Sequence, residues 1–125
     1  MKEFKNIKFW IFDLDNTLYS GKTKVFEQVD KKMSKYISNK LNISIKEAKK
    51  IQKNYFHEYN TTLNGMIKNH KIDAQEFLDF VHDVDLDFLK DDKALEKELR
   101  RITDKKIIFT NGSRAHAENL SLIHI

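Results

Sequence analysis

Two short apolar runs, each closed by polar turn residues and separated by a long stretch with helical spacing, constrain this chain more than any other feature. The first is Phe9-Trp10-Ile11-Phe12, followed by Asp13-Leu14-Asp15-Asn16-Thr17. The second is Lys106-Ile107-Ile108-Phe109, followed by Thr110-Asn111-Gly112-Ser113. The first run reads as a buried strand and the second as a strand, and the residues after them carry the turn chemistry that ends a strand. Asn-Gly signals a hairpin only between two strands. Here Arg114-Ala115-His116-Ala117-Glu118-Asn119 offers good helix formers and no alternation, so the order is strand, turn, helix. Residues 20–104 lie between the strands, far more than the roughly dozen residues a parallel crossover requires. The fold class is therefore α/β, with a parallel sheet and an inserted helical subdomain. With two visible strands the sheet is incomplete, leaving exposed edges and a face with too few helices over it, so aggregation is expected.

The polar residues after the first strand suit phosphoryl transfer. In open α/β sheets ligands bind at the carboxyl ends of the strands, and alternation would direct Asp13 and Asp15 to one side. One carboxylate can attack phosphorus and form an aspartyl-phosphate. The other can protonate the departing oxygen and then deprotonate the incoming water. Two carboxylates repel a phosphate dianion unless a hard cation intervenes, which implies Mg²⁺. The same residues also fit an ordinary acidic turn, and Asp-x-Asp alone does not separate the two readings. After the second strand, the junction at Thr110, Asn111 and Gly112 aims backbone N–H groups and the positive end of a helix dipole at an anion. Ser113 as a plain helix N-cap fits equally well.

Phe12-Asp13-Leu14-Asp15-Asn16-Thr17-Leu18-Tyr19, followed by Ile107-Ile108-Phe109-Thr110-Asn111-Gly112, resembles motifs I and II of the haloacid dehalogenase superfamily of phosphohydrolases. With Tyr59-Asn60-Thr61-Thr62-Leu63 and Phe80-Val81-His82-Asp83, the pattern resembles the pyrimidine 5′-nucleotidase branch over nearly the whole chain to Asn119. The resemblance implies a haloacid-dehalogenase-like Rossmannoid core with a helical cap. It implies that Asp13 is the nucleophile, Asp15 the acid/base, and Thr110 a phosphate ligand with Asn111 beside it. It also implies that the Asp13 carboxylate and the Asp15 backbone carbonyl hold Mg²⁺. The expected substrate is a small phosphomonoester, a nucleoside monophosphate such as UMP or CMP. Sugar phosphates and other small metabolites are the alternative within that chemistry, and a non-catalytic binding fragment the alternative outside it.

The family's later lysine and acidic pair normally come well beyond motif II, so the sequence reads as truncated and inactive as it stands. Leu120-Ser121-Leu122-Ile123-His124-Ile125 resembles one reading frame of a transposon end used to tag sequencing libraries, and residues 120–125 are expected to be a non-native tail. A natural apolar terminus is the other reading. Residues 1–19 and 90–119 are expected to form the partial core and residues 20–89 the cap.

Within residues 20–104, Phe26, Val29, Met33, Tyr36, Ile37 and Leu41 mark one amphipathic helix. Ser44-Ile45-Lys46-Glu47 fits a capping box opening a second, with Ala48, Ile51, Tyr55 and Phe56 on its apolar face. A third helix is expected over residues 62–68. A fourth opens at Asp73 with Phe77, Phe80 and Val81, and a fifth at Asp91 or Asp92 with Ala94, Leu95, Leu99 and Ile102 turned to the sheet. Tyr55, Phe56, His57, Tyr59, Asn60 and Thr61 offer a cluster able to stack on and hydrogen-bond a base. The competing reading makes Tyr55, Phe56 and Tyr59 the buried face of a helix.

Composition narrows the remaining classes. A hydrophobic content of 40% excludes a disordered chain. The net charge of +4 comes mostly from lysines scattered among 19 acidic residues. No basic stripe emerges, so no nucleic-acid partner is expected. No apolar run reaches membrane-span length and no signal peptide opens the chain, so no membrane partner and a cytoplasmic location are expected. The absence of cysteine excludes disulfides and thiolate chemistry.

Overall fold

A computed structural model of the chain describes residue 4 and residues 6–87 and 89–124, with the backbone alone described for 121–124. The first and last expected boundaries, at residues 1 and 125, lie outside the described residues. The described part is mixed α/β, mostly helical, with two parallel strands. It divides into two compact units, residues 25–85 and the remainder.

The α/β unit contains β1 (Phe9–Phe12), α5 (Lys93–Arg101), β2 (Lys105–Ile108) and α6 (Arg114–His124). Register pairs Phe9 with Lys105 and Phe12 with Ile108. The ladder continues one step further, where the Phe109 N–H donates to the Phe12 carbonyl at 2.9 Å. Parallel pairing at this register brings Asp13 to Asp15 and Thr110 to Gly112 to one edge of the sheet, although they lie far apart in sequence.

The expectation that the first strand is buried fails on one face, where the expectation of a sheet face with too few helices over it is met. Phe9 and Ile11 are 59% and 69% exposed, and Ile107 and Phe109 are exposed beside them. Parallel sheets are ordinarily covered on both sides, and no described residue covers this side. The opposite face carries Trp10 and Phe12, stacked 6.5 Å apart.

Asp92 caps α5 by accepting from Leu95 N, and Leu99 is buried while Ala94, expected to face the sheet, is exposed. In α6, Leu120 is buried. The rest of the expected tail has side chains outside the described residues.

The helical unit contains α1 (Val25–Leu41), α2 (Ile45–Tyr59), α3 (Thr62–His70) and α4 (Ala74–His82). Its core gathers Val29, Tyr36, Ile37, Ala48, Met66, Ile72, Phe77 and Val81. Phe26 and Phe56, placed on apolar faces by periodicity, are exposed instead. The capping box at Ser44 and Glu47 is complete, and Thr61 and Asp73 cap α3 and α4. A buried polar seam joins α1 to α2. Gln52 accepts from Ser34 Oγ at 2.6 Å and donates to Asp30 at 2.7 Å, so both polar ends of its amide are satisfied. The Gln28 amide clamps the Asp85 backbone through two bonds, fastening the unit's exit to its first helix. Among the described residues, no helix is long and apolar enough to cross a membrane.

Candidate active site

β1 ends at Phe12, so Asp13 and Asp15 sit just beyond the strand. Their orientation is set by a turn rather than by strand alternation. The Thr17 and Leu18 N–H groups both donate to the Leu14 carbonyl, at 3.2 and 3.0 Å. Leu14 and Leu18 are buried beneath this turn. Asn16 takes the left-handed conformation at φ 58°, which asparagine tolerates better than most residues. With Leu14 pointing inward, Asp13 is exposed and Asp15 is half-buried.

The two aspartates are held differently. Asp13 Oδ2 accepts from the Thr17 hydroxyl at 2.8 Å. Among the described residues no hydrogen bond joins Asp13 to Asp15, Thr110 or Asn111. Asp15 Oδ1 accepts from the Tyr19 hydroxyl at 2.6 Å and pairs with His116 Nε2 at 2.8 Å. Burial, reinforced by the bond to the Asp15 carboxylate, pushes the Tyr19 phenol far above the usual tyrosine range, so it acts as a neutral donor.

From the second strand end, Thr110 Oγ1 lies 3.5 Å from Asp15 Oδ2, the outer limit of a hydrogen bond. The Gly112 N–H donates to Thr110 Oγ1 at 3.0 Å. This bond orients the hydroxyl and leaves its proton only loosely committed to Asp15. Asn111 lies exposed in the same loop, with no described contact to either aspartate. Ser113 caps α6 as expected, its hydroxyl accepting from the His116 N–H at 3.1 Å. The structure therefore brings Asp15 and Thr110 together, puts Asp13 at the exposed mouth, and leaves Asn111 at the rim.

His116 is the residue that sequence reasoning missed. It stood among good helix formers and gave no periodic signal. The available cue was its spacing, three residues after the cap, which turns it back toward the loop preceding its own helix.

Oxygen donors of this kind, one carboxylate and one backbone carbonyl, suit Mg²⁺, which binds few protein ligands and completes its shell with water and substrate phosphate. No group of three or more His, Cys, Asp or Glu side chains gathers among the described residues. The donor set fits a magnesium ion held partly by non-protein oxygens.

The cluster expected to grip a base is largely occupied by structural contacts. Tyr55 OH meets His70 Nε2 at 2.8 Å, and its ring packs edge-on against Tyr59. Asn60 is the left-handed C-cap of α2 and Thr61 the N-cap of α3. Phe56 and His57 remain exposed.

No protein-family model matches the chain. Over 120 residues it is 33% identical to Phosphate metabolism protein 8 of Saccharomyces cerevisiae, a match covering 88% of this chain and 37% of that protein. The chain thus spans little more than a third of the length of this curated relative.

Proposed function

We propose that this chain carries the nucleophile and the acid/base of a Mg²⁺-dependent phosphomonoester hydrolase of the haloacid dehalogenase superfamily. The reading extends to the pyrimidine 5′-nucleotidase branch and to nucleoside monophosphates as substrates. The observation that carries it is the meeting of Asp15 and Thr110 at one end of two parallel strands, with Asp13 exposed beside them. The similarity to a protein named for phosphate metabolism supports the same chemistry.

Asp13 attacks phosphorus through a carboxylate oxygen while the bond from phosphorus to the leaving oxygen breaks, giving an aspartyl-phosphate. Thr17 restricts the nucleophile to one orientation by holding Oδ2. Asp15 gives a proton to the departing oxygen. It then takes one from the water that attacks the aspartyl-phosphate, which regenerates Asp13 and releases inorganic phosphate. The Thr110 hydroxyl, oriented by Gly112, turns its proton to a phosphate oxygen. The Asp13 carboxylate and the Asp15 carbonyl would hold Mg²⁺, which when bound offsets negative charge between carboxylate and phosphate. In the family this sequence resembles, the inserted helices are a cap that sets substrate choice, and that role is proposed for the helical unit.

The test uses the full-length protein supplied with Mg²⁺ and a panel of nucleoside monophosphates and sugar phosphates. Phosphate release is expected to favour the nucleotides and to vanish in Asp13→Asn. Unchanged release in that variant removes Asp13 as nucleophile, and a preference for sugar phosphates moves the substrate class.

A further inference from the structure

We propose that Tyr19 and His116 are positioning residues for proton transfer: they anchor Oδ1 of Asp15, so that Oδ2 is the oxygen that exchanges protons with the leaving group and with water. This rests on the phosphohydrolase reading above and adds to it which atom of the acid/base works and what aims it.

Two groups converge on a single oxygen, the Tyr19 hydroxyl as a donor and the His116 imidazole as a donor in its Nε2–H tautomer, the form that a carboxylate acceptor selects. Tyr19 OH lies 2.6 Å and His116 Nε2 2.8 Å from Oδ1. A carboxylate oxygen accepts through two lone-pair directions, and two donors at these distances occupy both. When Asp15 is in its acid form, a proton on Oδ1 would face those two donor hydrogens. The proton therefore belongs on Oδ2. Oδ2 faces the phosphate loop, 3.5 Å from Thr110 Oγ1 and 3.7 Å from where a Cβ on Gly112 would stand.

The anchors are rigid. Tyr19 and His116 are 7% and 2% exposed, and both are rings with few rotatable bonds. His116 is fixed further through its own N–H, bonded to the Ser113 cap. One anchor comes from the turn after β1 and the other from the first turn of α6, so the carboxylate is fastened to both strand ends. Such fastening removes a rotation that would otherwise swing the proton away from the reacting oxygen. In the first half-reaction the electron pair of the breaking ester bond goes to the leaving oxygen, which collects the proton from Oδ2. In the second, water forms the new bond to phosphorus, its proton passes to Oδ2, and the bond from phosphorus to Asp13 breaks.

The test compares two substrates in the full-length protein. A nucleoside monophosphate has an alkoxide leaving group that needs a proton, whereas p-nitrophenyl phosphate loses a phenolate that does not. Because kcat/KM reports only steps through the first irreversible one, it isolates leaving-group protonation. Tyr19→Phe keeps the ring and removes one donor. It is expected to lower kcat/KM for the nucleotide about tenfold more than for the aryl ester. Asp15→Asn should show the same selectivity, enlarged. His116→Gln, which retains a donor, should keep more nucleotide activity than His116→Leu. Equal losses on both substrates in Tyr19→Phe overturn the assignment, and that variant decides alone should the His116 variants fail to fold. Failure of the underlying reading looks different: activity on both substrates survives Asp13→Asn, and the positioning role falls with it.

Discussion

At the scale of single residues, Gly112 shows how little room the site leaves. A Cβ there would stand 3.0 Å from His116 Cδ2 and 3.4 Å from Thr110 Oγ1. Its backbone is not left-handed, so alanine meets crowding rather than conformational strain. The imidazole must give by a few tenths of an ångström, and it holds Asp15. Gly112→Ala is therefore expected to lower kcat/KM on a nucleoside monophosphate about tenfold, with a melting temperature close to wild type; steady-state kinetics beside thermal unfolding check both. Asp13, Asp15 and Thr110 were legible as candidates because polar residues following an apolar strand mark the strand end. His116 was legible only in part: its spacing three residues after the Ser113 cap turns it toward the preceding loop, but that Asp15 stands there follows from the pairing of β1 with β2, which no spacing within the helix reports. The polar pair Asn60 and Thr61 carried an ambiguity of another kind, because the residue types that grip a base also cap helices.

At the scale of elements, the tie between α1 and α4 gives a pH dependence. Burial, with the hydrogen bond to Glu76, pushes the Tyr36 phenol up to about 12. The same bond, helped by Lys40, holds the Glu76 carboxyl below its ordinary range. A tyrosine whose folded pKa lies above its unfolded value of 10.0 contributes stability that is complete below pH 10 and is lost as pH rises through about 12. The urea midpoint is therefore expected to fall across that window, and to fall less in Tyr36→Phe, which keeps the ring against Phe77 and Phe80. Equal falls in the two proteins would show that other tyrosines account for the loss. Helix starts at Ser44, Asp73 and Asp92 were readable in advance because capping is a local bond between residues three apart. An under-covered sheet face was readable from the count of two strands, and Phe9 and Ile11 lie exposed on it; the exposure of Phe26 and Phe56 was not readable, because periodicity identifies an apolar face without saying whether anything covers it.

At the scale of the whole molecule, the two units bury their side chains by different means. The sheet presents Phe9, Ile11, Ile107 and Phe109 on a face that no described residue covers. The helical unit, by contrast, closes its core from its own residues, since every member of the cluster from Val29 to Val81 belongs to it. The clamp of Gln28 on Asp85 further holds its last described segment to its first helix. Packing of α3 on α2 is equally internal: a Cβ on Gly65 would come within 2.4 Å of the Tyr55 side chain, so these helices approach as closely as glycine permits. Domains of this size can fold alone, with a small margin. A peptide of residues 25–85 is accordingly expected to be helical by circular dichroism and to unfold cooperatively in urea, and Gly65→Ala should lower its stability by about 1–3 kcal/mol through overpacking. A gradual, non-cooperative melt of the peptide would instead mean that the core in residues 25–85 depends on the strand-bearing unit, and the division of labour between a self-sufficient helical unit and a chemical strand end would not hold.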